Sequence, residues 1–333
     1  MLDQPNGPFR LVDLPTPAPR PGEVLVRIHA SGVNPLDTKI RAGAAAHARH
    51  LLPAILGIDL AGVVEQPGEG VVTFRKGDEV YGMTGGVGGV PGSLAEFAAV
   101  DGRLLARKPQ DLSMRQAAAL PLVAITAWEG LVDRARVSPG QRVLVQGGAG
   151  GTGHVAVQLA RALGAGVHAT ASAKDLDEVS RMGATPIDRA LPVVEQVKRH
   201  ANGEGFDVVF DTVGGTVLDA SFEAIRRFGH VVSILGWGTH ALGPLSFKGG
   251  TYSGVFTLLP LLTGVGREHH GEILGRITAL VEDGKLSPRL DPRTFGLANA
   301  EAAHAAVASG GAAGKIVITV VDDGDPPGRR SVR

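Results

Sequence analysis

The stretch Val143–Ser172, VLVQGGAGGTGHVAVQLARALGAGVHATAS, decides the fold. It opens as a short apolar strand and then turns through a loop in which Gly148, Gly150 and Gly153 are spaced as GxGxxG. It continues as a helix with Val155, Leu159 and Leu163 on one face. A second strand pattern begins at Val167. The glycines serve a tight turn, close approach of backbone to a pyrophosphate, and close helix–strand packing. Gly151 and Thr152 open the helix, whose first N–H groups have no intrahelical acceptor and carry positive partial charge, a good seat for phosphate. Strand, loop, helix and second strand arrive in the right order, so the stretch is expected to bind a dinucleotide rather than to be a glycine-rich turn that binds nothing.

The end of the second strand speaks to which dinucleotide. A carboxylate about twenty residues after the loop would clamp a ribose 2′-hydroxyl and repel a 2′-phosphate. Here the strand ends Ala169-Thr170-Ala171-Ser172-Ala173-Lys174, with no carboxylate before Asp175. Ser172 offers a hydroxyl and Lys174 a cation, and Arg189, after the third strand, is a further cation unless it is simply solvated. This set favours NADP over NAD.

Strand-like runs alternate with helical ones around this unit: Arg142–Val145, Val167–Thr170, Thr185–Ile187, Asp207–Phe210, Val231–Leu235 and Val255–Thr257. Runs such as VVF and VVSIL are apolar on successive residues, as parallel strands covered on both faces are, so the expectation is an α/β, six-stranded, doubly wound Rossmann sheet. Before about Asp111 the chain is rich in Gly and Pro and carries short β runs (Glu23–Ala30, Gly62–Val64, Asp78–Met83), the pattern of a compact β-rich domain. Ser113 and Gln116 form a capping box that opens a helix, and Pro121 is expected to kink or stop it before AITAW resumes the helical pattern. Helices near Gly271–Asp283 and Ala298–Ala308 and a strand at Lys315–Val320 close the fold. The expected domains are 1–117 and 260–321 for a β-rich catalytic domain, 118–259 for the nucleotide domain, and a disordered tail at 322–333.

Composition narrows the function classes. Lys plus Arg (33) equals Asp plus Glu (33), so no global field draws the chain to nucleic acid, an anionic membrane or acidic substrates. With no cysteine, the sequence contains no disulfides, thiolate nucleophiles or Cys-ligated metals. The N-terminus shows no basic flank followed by an apolar core. The longest apolar runs, Ala117–Trp128 and Ser253–Leu262, are short and interrupted by proline. A cytoplasmic protein with no membrane partner is expected.

Taken together, GVNPLDTKIRAG (Gly32–Gly43), LPAILGIDLAGVV, GDEVYGM, ALPLVAITAW, the glycine loop, FDVVFDTVGG and the closing GKIVI resemble the medium-chain dehydrogenase/reductase superfamily, and in particular its zinc-free quinone oxidoreductase branch, which includes zeta-crystallin. The resemblance spans about Gly7 to Val320. It implies a GroES-like domain with the nucleotide domain inserted into it, a cleft between the two, and a homodimer whose nucleotide domains pair edge strands near Thr251–Thr257. The N-terminus looks a few residues short of the usual first strand.

Zinc-dependent members of that superfamily use a Cys where Asn34 stands and a His-Glu pair where Ile58-Asp59 stands, so the resemblance implies no zinc here. His47 with His50, and His269 with His270, lack a third ligand at recognisable spacing and read as solvated histidines. Without an electrophilic ion to stabilise a localised alkoxide, the surviving chemistry is hydride transfer from NADPH to an acceptor that spreads the incoming charge, such as a quinone or a conjugated carbonyl. Asn34 and Thr126 are implied to sit beside the nicotinamide, Asn34 being otherwise a turn residue before Pro35 and Thr126 a helix-interior threonine bonding its own backbone. Lys39 is a candidate to polarise an oxygen or deliver a proton, or else a surface lysine. Asp37 and Asp59 are read as holding local backbone. Gly236, Trp237, Val255, Phe256 and Thr257 match segments that frame the nicotinamide, and Trp237, His240 and Phe256 form a possible wall for a flat acceptor. Lys315 either reaches the cofactor or is a solvated edge-strand charge. Two other readings stay open: an NADPH-dependent reductase of 2-alkenals, enones or enoyl thioesters, and an NADPH-binding crystallin-like or RNA-binding protein with little turnover.

Overall fold

The computed structural model describes residues 1–321; the tail expected to be disordered, 322–333, lies outside the described residues. Its strands, in chain order, are β1 (Glu23–Val33), β2 (Asp59–Pro67), β3 (Glu79–Met83), β4 (Phe97–Asp101), β5 (Leu105–Arg107), β6 (Arg142–Gln146), β7 (Gly166–Ala171), β8 (Thr185–Asp188), β9 (Phe206–Asp211), β10 (Ile225–Ser233), β11 (Thr251–Gly254), β12 (Phe295–Gly296) and β13 (Ile316–Thr319). They belong to two compact units. Among the described residues the first is Met1–Leu122, Leu258–Glu282 and 288–321; the second is Val123–Thr257 with Asp283–Ser287.

The first unit is built on a seven-stranded sheet of order β12-β13-β1-β2-β3-β5, with β4 also paired to β1. Strand β1 is its hub, pairing antiparallel with β13, β2 and β4. Its sequence alternates so that Val24, Val26 and Ile28 share one face, and these pack on Leu60, Val64, Val80, Ala98 and Val100. Register shifts at Leu25/Val26 and Ile28/Ala30 bend the strand. Near its end, at Gly32, an added Cβ would lie 2.2 Å from the Ala118 carbonyl oxygen, so only glycine lets that backbone pass. The chain then turns straight into the helix Pro35–Arg41, with Pro35 in its first turn, where the missing N–H costs nothing.

The second unit is a six-stranded parallel sheet of order β11-β10-β9-β6-β7-β8. The chain runs outward through β6, β7 and β8, then returns to lay β9 against the other side of β6, which creates a switch point at the carboxyl ends of β6 and β9. Leu144, Phe206, Val209, Phe222, Ile225 and Val231 fill one core of this unit, consistent with strands buried on both faces.

Two expectations about this sheet need correction. The sixth strand is Thr251–Gly254, not Val255–Thr257. As an edge strand it leaves Thr251, Tyr252 and Gly254 exposed, so it lacks the apolar run of its neighbours, while the apolar residues that follow it are past its end. The Val255 N–H still donates to the Ser233 carbonyl at 3.0 Å. The fifth strand begins at Ile225, earlier than expected, because Arg226 and Arg227 interrupt its apolar pattern. Elsewhere the capping box forms as read: Ser113 Oγ accepts from the Gln116 N–H, and Gln116 Oε1 accepts from the Ser113 N–H. Pro121 does not kink that helix but opens a separate one, Pro121–Trp128. Among the described residues no helix is long and apolar enough to cross a membrane.

Candidate functional site

In the second unit the chain leaves β6 and turns at Gly147, whose φ of 77° suits glycine. A Cβ at Gly148 would lie 2.5 Å from the Ala169 Cβ, and one at Gly153 would lie 2.0 Å from the Gly147 carbonyl oxygen. No side chain fits at either place. The Gly147 N–H donates to Thr170 Oγ1 at 3.0 Å and the Gly148 N–H to the Thr170 carbonyl at 2.8 Å, which ties the loop to β7. The helix Gly151–Ala162 then starts from Gly150, a cap with no side chain of its own, so its first turn suits a phosphate. Val155 and Leu159 are fully buried beneath it. This is a cradle shaped for a dinucleotide.

Beyond β7, Ser172 Oγ donates to Asp175 Oδ2 at 2.6 Å. The carboxylate that strand spacing alone did not bring to this place is folded back onto it, and the Ser172 hydroxyl is spent there. Lys174 is exposed beside it. The Arg189 N–H donates to the Ala171 carbonyl at 2.9 Å, so this exposed arginine starts from the same sheet end.

The carboxyl ends of β9 and β10 are organised by Asp211, fully buried. Its Oδ1 accepts the N–H groups of Val213 and Gly214, each at 3.0 Å, and its Oδ2 accepts Ser233 Oγ at 2.7 Å. Thr212 Oγ1 donates to the Gln146 carbonyl at 2.6 Å, which brings the loop after β9 against the glycine loop. The loop after β10 is just as close: a Cβ at Gly214 would lie 2.6 Å from the Leu235 oxygen, and one at Gly236 2.0 Å from the Tyr252 hydroxyl. Next, Trp237, 58% exposed, stands edge-on to Phe256, with ring centroids 6.4 Å apart at 88°. Val255 and Thr257 are buried. His240 Nδ1 lies 2.9 Å from Asp219 Oδ1. Thr126 is buried within the helix Pro121–Trp128.

The first unit holds a buried polar group that sequence reasoning did not assemble. Asn34, Asp37, Asp59 and Lys315 are all at most 5% exposed. Asn34 Nδ2 donates to Asp59 Oδ2 at 2.8 Å, while Lys315 Nζ donates to Asn34 Oδ1 and, at 3.3 Å, to the Val33 carbonyl. Lys315 Nζ also lies 3.9 Å from Asp59 Oδ2. An ammonium only donates and a carboxylate only accepts, so the Asn34 amide has one permitted orientation. Asp59 Oδ1 accepts the Leu122 N–H at 2.9 Å and Asp37 Oδ2 the Asn34 N–H at 2.8 Å, as the backbone-holding reading expected. Asp37 Oδ1 has no partner.

Burial sets the protonation of this group. It pushes Asp37 up to about 7, against the Asn34 N–H bond and with help from the Asp59 charge. It pushes Asp59 up to about 6, opposed by Lys315 and by the bonds from Asn34 and Leu122. The Lys315 ammonium is itself lowered by burial, with Asp59 and Asp37 pulling the other way.

These positions correct several expectations. Asn34 has both ends of its amide engaged and is fully buried, so it does not present the amide to an acceptor. Lys39 is exposed on the helix Pro35–Arg41, outside the group. Lys315 is no solvated edge charge but the buried cation; β13, which it precedes, is an interior strand of its sheet. His270 is fully buried and not solvated, and His50 is lowered by burial. Among the described residues no three His, Cys, Asp or Glu side chains are grouped to hold a metal ion.

A GroES-like unit and a Rossmann unit with a fitted dinucleotide loop define a nicotinamide-dependent oxidoreductase. Comparison with known proteins makes this specific. Residues 20–110 match the alcohol dehydrogenase GroES-like domain family and residues 182–318 the family described as zinc-binding dehydrogenase. The chain is 31% identical to a quinone oxidoreductase of Sus scrofa over 92% of each protein. It is 35% identical to the chloroplastic NADPH-dependent alkenal/one oxidoreductase of Arabidopsis thaliana, over 89% of this chain and 72% of that one. A match at 36% identity to the spectinabilin polyketide synthase protein NorB of Streptomyces orinoci covers 92% of this chain but 14% of that protein. The fold is also that of a crystallised alcohol dehydrogenase superfamily protein from Novosphingobium aromaticivorans: TM-score 0.95 and 60% identity, over 96% of this chain and 98% of that one. The chain belongs to the medium-chain dehydrogenase/reductase superfamily, in its quinone oxidoreductase-like branch.

The buried carboxyl of Asp37 has a measurable consequence. Below the unfolded value of 3.8 both states hold its proton; between there and about 7 only the folded state does, so its contribution to stability declines as pH rises through that window. Asp37→Asn keeps an acceptor for the Asn34 N–H and removes the titration. The melting temperature of the wild type, measured relative to that of D37N, is expected to fall between pH 4 and pH 7. A constant difference across that range would contradict the assignment.

Proposed function

We propose that this chain is an NADPH-dependent, zinc-independent reductase of quinones and related conjugated carbonyl compounds. The observation that carries the reading is the donor set in the first unit. Where metal-dependent relatives place Cys and His-Glu, this chain buries Asn34, Ile58 and Asp59, and the Lys315 ammonium lies among them. The amide is already committed, Ile58 has no donor atom, and a fixed ammonium repels a divalent cation. These residues do not fit zinc. An enzyme built this way favours acceptors that delocalise negative charge themselves. The Sus scrofa and Arabidopsis relatives, named for action on quinones and on alkenals or enones, support the same class.

When bound, the reduced nicotinamide supplies the hydride; the chain's residues bind, orient and shield. Gly148, Gly150, Gly151, Thr152 and Gly153 seat the pyrophosphate. Lys174 and Arg189 take the 2′-phosphate, without the Ser172 hydroxyl, which serves Asp175. Gly236, Val255 and Thr257 frame the nicotinamide with Thr126, while the Trp237 and Phe256 rings offer a flat acceptor an edge-and-face wall. The quinone reading is preferred to a 2-alkenal, enone or enoyl-thioester reductase, which would use the same arrangement. The edge strand β11, with Tyr252 exposed on it, supports a homodimer joined across that edge, and we place the enzyme in the cytoplasm.

A panel of 1,4-benzoquinone, a naphthoquinone, 2-hexenal and crotonyl-CoA with NADPH, and a primary alcohol with NADP in reverse, tests the reaction class. Fastest oxidation of NADPH with the quinones is expected. Turnover of the alcohol alone, abolished by a chelator, would overturn it. For the coenzyme, the double variant K174A/R189A is expected to weaken NADPH binding by about tenfold or more, since hydrogen bonds to charged groups contribute roughly 1.5–3 kcal/mol each, and to leave NADH within about twofold. Equal weakening of both coenzymes would remove the NADPH preference. Sedimentation equilibrium should give a dimer, and a monomer at micromolar concentration would rule out the edge pairing.

A further inference from the structure

We propose that His240 is the acid that completes the reduction: its ring gives the acceptor oxygen the proton that must follow hydride delivery, with Asp219 holding the ring in place. This rests on the reductase reading above and names a group that reading lacks, the proton donor.

The geometry begins with where His240 stands. It follows β10 in a loop whose start packs on the loop after β9, which in turn packs on the glycine loop, so all three gather at the carboxyl ends of parallel strands where such sheets bind ligands. Its imidazole is oriented from one side: Nδ1 lies 2.9 Å from Asp219 Oδ1, a residue in the first turn of the helix Thr216–Ala224. The Phe222 ring from the same helix stands edge-on at 6.4 Å. The other nitrogen, Nε2, is covered and has no hydrogen-bond partner. A covered polar atom left unpaired costs about 1–3 kcal/mol, and one at a ligand-binding sheet end is explained if the ligand supplies its partner. Gly238, at φ 118°, stands beside this nitrogen, since a Cβ there would lie 3.8 Å from Nε2, and it belongs to the exposed segment Trp237–Thr239. An acceptor lying against Trp237 meets the ring by displacing that segment.

The groups facing the ring favour its charged form. Asp219 raises its pKa most, against the desolvation of the ring, and the Trp237 backbone and then Asp211 at the end of β9 add to this. Tyr252 on β11, in edge contact with the same Phe222 ring, has its phenol raised by burial and by Asp211 and so stays neutral near pH 7. The step balances. Hydride brings a quinone two electrons and one hydrogen and leaves a hydroquinone monoanion. The Nε2–H bond breaks and the O–H bond of the hydroquinone forms. The neutral ring keeps its Nδ1 proton on Asp219 and regains the other from water.

The test uses the full-length enzyme with NADPH and 1,4-benzoquinone, together with an NMR pH titration of the His240 ring in the coenzyme-free protein. In the wild type the ring should titrate above an ordinary histidine, and in Asp219→Asn at lower pH. The alkaline fall in kcat should move down with it by the same interval. His240→Gln should lose that limb and at least about tenfold in kcat, within the usual contribution of general acid catalysis, with NADPH affinity by fluorescence within about twofold of the wild type. An unmoved kcat limb in D219N, or an H240Q enzyme with wild-type kcat and pH profile, overturns the role of His240 and leaves the reductase reading standing. No NADPH oxidation by the wild type with any acceptor of the panel overturns both.

Discussion

An ammonium, two carboxyl groups and an amide, sealed together away from water, constrain everything around them in the first unit. Lys315 cannot be buried alone, because an unpaired charge in a protein interior costs several kcal/mol. It is answered by Asn34 and Asp59, and Asp59 also holds the backbone at Leu122. Strand β1, the start of the helix Pro35–Arg41, strand β2 and the approach to β13 are therefore joined at one point. Removing one member leaves the others unsatisfied.

The second unit works by the opposite device. Its loop after β6 is shaped by side chains that are missing: Gly148 and Gly153 have no room for a single carbon beyond the backbone. Asp211 supplies the rigidity, holding two backbone N–H groups and the Ser233 hydroxyl so that the ends of β9 and β10 stay together. The exposed residues, Trp237 and its neighbours, are thus carried on a stiff base, which is what precise placement of a reacting ligand requires.

Much of this was legible without coordinates where the signal was local. The glycine spacing, the apolar strands on either side of it and the Ser113–Gln116 cap all depend on residues a few positions apart, and each formed as read. The edge strand β11 escaped because an edge has no need of the continuous apolar run that marks an interior strand. Asp175 lies past the strand end in sequence, yet a short 3₁₀ turn folds it back on Ser172. The lysine near Asn34 in sequence, Lys39, was a natural candidate, whereas the lysine near it in space is 281 positions away. The strand end Phe210-Asp211, followed by Thr212-Val213-Gly214, does carry an Asx-turn signal, and Asp211 could have been found by it.

The linear order of residues was enough to specify a Rossmann sheet, its dinucleotide loop and the loss of the cysteine ligands, because backbone sterics and hydrophobic periodicity act between near neighbours. Which charges meet was settled only by tertiary structure. Burial of Lys315 against Asn34 and Asp59, and the pairing of His240 with Asp219, depend on desolvation and on distances of a few ångströms between segments far apart in the chain. Neither quantity exists until the sheet is closed, and no local pattern encodes it.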